Sequence, residues 1–207
     1  MSPRPLTRQE SQARTRARLL KAAAKVLLRD GFHAASIGQI ANAAGYTTGA
    51  VYSNFESKEE LCLAVLEDRF LGLATDLAQA LAAAGTSVDA RMGALATWYE
   101  NIVGQEQWGL LAAEFALATR KKAAIRNQLA DRIKSGRAMV AAALAQQHEQ
   151  LQAAVGSDAD WLAAAVIGLG MGLAVQRVVD PDIPTDTFSN GVRMLLGGTT
   201  TAADAVR

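Results

Sequence analysis

Residues 36–55 constrain the fold more than any other part of this chain, because they predict two short helices joined by a tight turn. Ser36, followed three residues later by Gln39, forms a capping box, a side-chain pattern that opens a helix. Apolar residues then recur at three- and four-residue spacing, which is the period of one buried helix face. Gly45 ends this helix, since a residue without a side chain adopts the left-handed conformation at little cost. Helix, glycine turn and helix together indicate a helix-turn-helix.

The second helix of the pair presents a polar face without charged or bulky aliphatic side chains. Thr47 or Thr48 is its N-cap, and Val51 and Phe55 are inward positions. Such a face can enter a major groove of DNA, contact base edges and bond phosphates. The alternative is a helical hairpin whose polar face meets only solvent. The outward residues are Thr47, Thr48, Gly49, Tyr52, Ser53 and Asn54.

Basic side chains are concentrated at one end of the chain, although the net charge of the 207 residues is +1. Within residues 1–29, every charged side chain except Glu10 is basic. Such asymmetry indicates an anionic partner, either nucleic acid or a membrane surface. Basic side chains next to a helix-turn-helix favour nucleic acid as that partner. We predict a flexible basic arm over residues 1–10 and a first helix from residue 11 or 12 to residue 30.

The chain from about residue 14 to residue 66 resembles the DNA-binding region of the TetR family of bacterial transcriptional regulators. The resemblance implies an all-α fold, with an N-terminal three-helix helix-turn-helix DNA-binding domain and a C-terminal helical domain for ligand binding and dimerisation. Tyr46 departs from the family pattern, because it is larger than the usual residue of the turn. The resemblance rests on Ala22-Ala23, Gly31-Phe32, Ser36, Ile40-Ala41, Ala44-Gly45, the run from Gly49 to Phe55, and Ser57-Lys58-Glu59-Glu60-Leu61.

We expect the DNA-binding domain to cover residues 11–57, the regulatory and dimerisation domain residues 58–198, and a disordered tail residues 199–207. A second capping box, from Ser57 to Glu60, opens the helix that links the two domains. The free amides at its start and the neighbouring Lys58 favour a DNA phosphate, and the resemblance implies phosphate contacts at Lys58 and Tyr52. The predicted DNA-binding residues are Ser36, Thr47, Thr48, Gly49, Tyr52, Ser53, Asn54 and Lys58.

The apolar helix predicted from residue 161 to residue 179 requires a partner, because it would otherwise expose a large apolar surface. A twofold homodimer pairs such a surface with itself, and the resemblance implies a four-helix dimer bundle formed by the last two helices. The uninterrupted apolar run, residues 161–175, is shorter than the roughly 20 residues that span a bilayer, and no signal peptide is visible. We therefore expect a cytoplasmic protein without membrane contact. The predicted interface residues are Leu162, Val166, Leu169, Leu173, Phe188, Val192 and Leu195.

A few large side chains are scattered over an alanine-rich background in the C-terminal part of the chain. They can line a cavity for an apolar or aromatic ligand, or they can simply fill the core. The resemblance implies an inducer pocket in this domain. The predicted pocket residues are Trp98, Tyr99, Trp108, Phe115, Met139, Trp161 and Met171.

The sequence gives no sign of catalysis. His33 and His148 fall in unrelated segments, Cys62 is the single cysteine, and no carboxylate pair, nucleophile motif or metal-ligand spacing is present. We therefore expect no enzyme activity, cofactor or metal. The predicted function is that of a homodimeric repressor that binds a palindromic operator in double-stranded DNA and is released by a small-molecule inducer. Two alternatives stay open: a DNA-binding regulator without small-molecule control, which responds to a protein or organises DNA, and a ligand-dependent activator.

Overall fold

The computed structural model describes residues 7–85, 87–145 and 159–195, and the regular elements in these ranges are all α-helices. The all-α prediction is therefore confirmed. The expectations for the first six residues of the arm, for His148 and for the tail at 199–207 lie outside the described residues. The helices are α1 (Arg8–Ala34), α2 (Ile37–Ala44), α3 (Thr48–Tyr52), α4 (Lys58–Ala83), α5 (Val88–Glu100), α6 (Gln107–Thr119), α7 (Ala123–Ala145), α8 (Ala159–Val179) and α9 (Thr187–Leu195).

The chain divides into two compact units. The first unit contains Met1–Arg69 and Leu111–Leu129, and the second contains Phe70–Leu110 and Ala130–Arg207. Helices α4, α6 and α7 therefore each contribute residues to both units. The domain boundary after residue 57 stays a prediction about where the DNA-binding part ends.

The predicted helix-turn-helix is present in the first unit. The capping box at Ser36 is complete, and Gly45 ends α2 in the left-handed conformation, with φ of 74°. Val51 is fully buried, and Phe55 is 2% exposed. These two side chains anchor α3, which at five residues is too short to be stable without tertiary packing.

Helix α1 begins three or four residues earlier than predicted from the sequence. Thr7 is its N-cap, and the Thr7 and Glu10 side chains each bond the other's backbone amide. Residues 8–10, which were assigned to the arm, form the first turn of the helix instead. The sequence contains this capping box, T-x-x-E, but the proline and arginine residues just before it favoured the prediction of a flexible arm. At the other end, Gly31 interrupts the helix with φ of 77° and ψ of 169°.

The second unit is built around a core of apolar side chains from α4, α5, α8 and α9. At its centre, Tyr99 stacks on Phe188, with ring centroids 4.2 Å apart and planes 11° from parallel. A largely buried ion pair joins Arg177 to Glu106 within this unit, with Nε and Oε1 3.3 Å apart. The core residues are Leu77, Leu81, Met92, Leu95, Tyr99, Leu162, Val166, Leu173, Phe188 and Val192.

Helix α8 is longer than the apolar run counted in the sequence. Its segment Asp160–Val179, of 20 residues, is long and apolar enough to cross a membrane by length and composition alone. The length argument made from residues 161–175 is therefore wrong. The core helix of a protein that never meets a membrane has the same length and composition, so this segment is weak evidence for a membrane span.

Candidate nucleic-acid interface

Helix α3 presents Thr48 and Tyr52 on its outer surface. Thr47 is the N-cap: its Oγ1 accepts a hydrogen bond from the Ala50 amide at 3.2 Å, which satisfies one of the free amides at the helix start. Thr48 is the first helical residue and is exposed. Tyr52 is 57% exposed. The cap, which the sequence left open between two threonines, therefore belongs to Thr47, and Thr48 is available to a partner.

Gly49 lies on the same outer surface, where a side chain could be added without a clash. A Cβ built at this position would contact the Thr47 Oγ1 at 3.7 Å, which is an ordinary van der Waals distance. The fold therefore does not require glycine here. What glycine does provide is close access to the backbone of α3 for a partner.

Ser53 and Asn54 close the C-terminal end of α3. The Ser53 hydroxyl and the Asn54 side-chain amide each donate a hydrogen bond to the Ala50 carbonyl oxygen at 2.9 Å. Ser36 uses its hydroxyl in the same local way, since its Oγ accepts from the Gln39 amide at 3.2 Å and donates to Gln39 Oε1 at 2.8 Å. All three side chains shape the helix ends, and their contact with DNA stays a prediction.

Arg16 holds the end of α3 against α1, a role that the sequence analysis missed. Its Nη1 donates to the Asn54 carbonyl oxygen at 2.9 Å, and its guanidinium carbon lies 4.2 Å from the centroid of the Phe55 ring. A cation over a buried aromatic face is an attractive contact. Arg16 stands between Arg14 and Arg18 in the sequence, and no local pattern says which of the three faces the helix-turn-helix.

A groove runs between the start of α1 and the end of α3, with a volume of about 300 Å³. Its lining offers amide, hydroxyl and guanidinium donors and no acidic group, a combination suited to a DNA phosphate. The lining residues are Gln9, Gln12, Ala13, Arg16, Ser53 and Asn54.

Tyr46, the residue that departs from the family pattern, reaches from the turn to the basic face of α1. Hydrogen bonds with Arg18 and Thr15 lower the pKa of its hydroxyl, and the charge of Arg14 acts in the same direction. The large side chain therefore links the turn to Arg18 and Thr15 of α1. These arginine side chains lie beside the helix-turn-helix, as the charge distribution in the sequence indicated.

Lys58, predicted to contact a phosphate, is engaged inside the protein. Its Nζ donates to the carbonyl oxygens of Phe32 at 2.8 Å and Ala35 at 3.0 Å, and lies 3.4 Å from that of His33. It also lies 4.6 Å from the centroid of the Phe32 ring. An ammonium group has three hydrogens, so these carbonyls can occupy all of its donors. A phosphate contact at Lys58 would require the release of these bonds.

The predicted pocket residues are spread over both units. Tyr99 lies in the core of the second unit, and Trp98 packs against that core with its ring 6.4 Å from Phe188. Phe115 belongs to the first unit, where it packs edge-on against Phe32 at 5.1 Å. Of the seven predicted residues, the structure thus brings only Trp98 and Tyr99 into one packed cluster. Trp108 is partly buried, whereas Met139, Trp161 and Met171 are exposed.

The predicted dimer residues lie mainly inside the protomer's own core. Leu162, Val166, Leu173, Phe188 and Val192 are at most 6% exposed, and Leu169 and Leu195 are partly buried beside them. Because α8 is apolar on almost every side, its sequence period does not indicate which face turns inward. The exposed apolar side chains of this helix are instead Trp161, Met171, Val175, Val178 and Val179.

The helix-turn-helix and its surroundings match a known group of proteins. The family model described as bacterial regulatory proteins, tetR family, matches residues 19–65, which include α2, α3 and the start of α4. Residues 19–65 thus match the DNA-binding region of the TetR family. The matched region is that of transcriptional regulators, which are not enzymes, in agreement with the sequence prediction.

Individual proteins are similar to this chain either in this region or in fold. The transcriptional activator FasR of Mycolicibacterium smegmatis is 42% identical over 66 residues, which are 32% of this chain and 30% of FasR. The structure of FadR from Bacillus subtilis in complex with stearoyl-CoA has a TM-score of 0.66 and 15% identity, with 89% of this chain and 99% of that chain covered. A transcriptional regulator from Rhodococcus sp. Rha1 has a TM-score of 0.65 and 21% identity, with 88% and 94% covered. The two structural matches show that the likeness in fold continues through the second unit.

Proposed function

We propose that this protein is a sequence-specific regulator of the TetR family that reads DNA with α3. The observation that supports this most directly is the outer surface of α3, where Thr48, Gly49 and Tyr52 are exposed without charge. Base edges and thymine methyl groups are the partners of such a surface. The guanidinium groups of α1 and the groove beside α3, which is lined by Arg16 and polar side chains, supply contacts to the DNA backbone. Such contacts fix the register of a protein on DNA.

The test is a binding titration at fixed salt with the DNA upstream of the protein's own gene and with a duplex selected from a random pool. Specific affinity at least a thousandfold above that for random DNA is expected, because specific regulators discriminate by about that factor or more. Equal affinity for selected and random duplexes would contradict sequence-specific reading. Log affinity should fall linearly with log salt concentration, since phosphate contacts release counterions.

We propose further that the protein acts as a homodimer on a palindromic operator. The support is the exposed apolar stripe on α8, where Val175 is 40% and Val179 is 87% exposed. Monomeric proteins rarely leave a contiguous apolar surface of this kind in water. A twofold axis through the stripe would pair it with itself, and two copies of α3 would then meet successive major grooves if their spacing matches the half-sites.

The ligand that we propose is a small molecule with a long apolar portion, and an acyl-CoA is the first candidate. The support comes from the FadR structure that is similar in fold, which is described as a complex with stearoyl-CoA. Stearoyl-CoA is expected to change the affinity for the selected duplex, while free CoA at the same concentration leaves it unchanged. If saturating stearoyl-CoA had no effect, the proposal for this ligand class would fail and the DNA-binding proposal would stand.

Release from DNA by the ligand would make the protein a repressor, as the sequence predicted. An activator is the second candidate, because FasR, which matches the DNA-binding part, is described as one. A reporter gene behind the selected operator separates the two, since deletion of the regulator raises expression in the first case and lowers it in the second. We propose a cytoplasmic location for either form, because its target is DNA.

A further inference from the structure

Residues 31–35, called the connector below, include the last turn of α1 and lead into the helix-turn-helix, and they begin with a sharp bend at Gly31. The bend has φ of 77° and ψ of 169°, a region that is essentially restricted to glycine. A Cβ at this position would lie 2.9 Å from Oε2 of Glu114. The bend and the Glu114 carboxylate are therefore in direct contact within the first unit.

Glu114, which lies on α6, binds the backbone on the far side of this bend. Its Oε2 accepts a hydrogen bond from the Phe32 amide at 2.9 Å, and its Oε1 accepts one from the His33 amide at 3.0 Å. These amides follow a break in the helix and have lost their intrahelical acceptors. Hydrogen bonds to a carboxylate are stronger than those between neutral groups. One side chain thus satisfies two successive backbone donors.

Lys58 binds the same connector as a hydrogen-bond donor, whereas Glu114 binds it as an acceptor. The Lys58 ammonium donates to the carbonyl oxygens of Phe32, His33 and Ala35. The Phe32 ring contacts both the Lys58 ammonium and the ring of Phe115, the residue that follows Glu114. The connector is therefore held by an acceptor on α6 and a donor on α4. It leads directly to Ser36, whose capping box sets the start of α2.

We infer that Glu114 is a positioning residue for DNA binding: by fixing the bend at Gly31, its carboxylate sets the orientation in which the chain enters the helix-turn-helix. The inference rests on the proposed DNA-binding function. Glu114 does not lie on α3 or on the groove beside it, so it acts through the backbone of Phe32 and His33. Its loss should lower affinity for specific and random DNA together, without a change in the salt dependence, because no phosphate contact is removed.

The test uses Glu114→Gln in the full chain. Glutamine keeps the size of the side chain, but its amide nitrogen cannot accept a hydrogen bond, so one of the two backbone amides faces a second donor. The dissociation constant for the selected duplex is expected to rise about tenfold or more, since a hydrogen bond to a charged group is lost. Hydrogen exchange at the Phe32 and His33 amides is expected to accelerate in the same variant.

Cys62→Ala is the matched control, because Cys62 is buried in the same unit and donates nothing to the connector. Both variants are compared at a temperature well below their melting transitions. Wild-type affinity in Glu114→Gln, or an equal loss in both variants, would overturn the inference. Glu114→Asp, which retains the charge but is one methylene shorter, gives the same comparison if Glu114→Gln does not fold. Failure of the wild-type protein to distinguish selected from random DNA would instead refute the proposed function.

Discussion

At the scale of single residues, neighbouring threonines at the start of α3 have different tasks. Thr47 accepts the Ala50 amide and caps the helix, whereas Thr48 is exposed. Thr47→Ala is expected to lower the free energy of unfolding by about 1 kcal/mol. Thr48→Ala should leave stability unchanged and reduce discrimination between operator base pairs, by roughly 1–3 kcal/mol if the contact is strong. Chemical unfolding and competition titrations measure the two effects, and equal losses of specific and random binding in Thr48→Ala would remove Thr48 from the base-reading set.

A substitution at Gly49 is expected to affect stability and DNA binding in opposite directions. Gly49→Ala should stabilise α3 by up to about 1 kcal/mol or leave its stability unchanged, because alanine has the higher helix propensity and the added Cβ makes only an ordinary van der Waals contact with Thr47 Oγ1. The same methyl group should weaken operator binding if DNA approaches the backbone closely. Gly72→Ala is the control, since a Cβ built at Gly72 likewise meets no clash, with nothing within 4 Å, but Gly72 lies in α4. Unchanged operator affinity in Gly49→Ala would show that DNA does not come close at this residue.

Cys62 reports on the integrity of the first unit. Burial, together with the nearby Glu114 carboxylate, raises the pKa of its thiol to about 12. The native thiol should therefore resist alkylation at pH 8, and labelling should follow the rate of unfolding. The unfolded thiol ionises near pH 8.5, so this group contributes to a loss of stability as the pH rises from about 8.5 towards 12. Rapid labelling of the folded protein at pH 8 would contradict the buried position.

At the scale of elements, the start of α4 stabilises the end of α1. Lys58→Met keeps the apolar stem but removes the donors to three carbonyl oxygens, so we expect a lower melting temperature and weaker binding to all DNA. The slope of log affinity against log salt should stay unchanged. A slope reduced by about one would indicate the direct phosphate contact that the sequence predicted. Lys21→Met, at an exposed basic position of α1, provides the comparison for loss of one surface charge.

At the scale of the whole molecule, assembly should depend on the exposed stripe of α8. Val175→Glu is expected to convert a dimer into a monomer in sedimentation experiments, because a buried unpaired carboxylate is costly in an apolar interface. Affinity for a palindromic duplex should then fall to that for a half-site. Leu117→Glu is the control, since Leu117 is an exposed apolar residue of α6, 63% exposed. An unchanged dimer in Val175→Glu would place the interface elsewhere.

The sequence by itself determined the helix-turn-helix, because its signals are local. The capping box at Ser36 and the left-handed turn at Gly45 depend on residues within a few positions of each other, and both are present as predicted. The basic character of α1 was equally clear from composition. Only the helix start at Thr7 was missed among these local features, although its capping partner Glu10 stands three residues away.

The tertiary structure decided which side chains meet across the chain. Arg16 binds the end of α3 through Asn54, which is 38 positions away in the sequence. Glu114 binds the bend at Gly31 through the amide of Phe32, which is 82 positions away. The inward face of α8 likewise followed from packing against α9, because a helix that is apolar all round carries no period to orient it. Local signals therefore identified the DNA-reading helix, whereas the contacts that hold it in place required the folded chain.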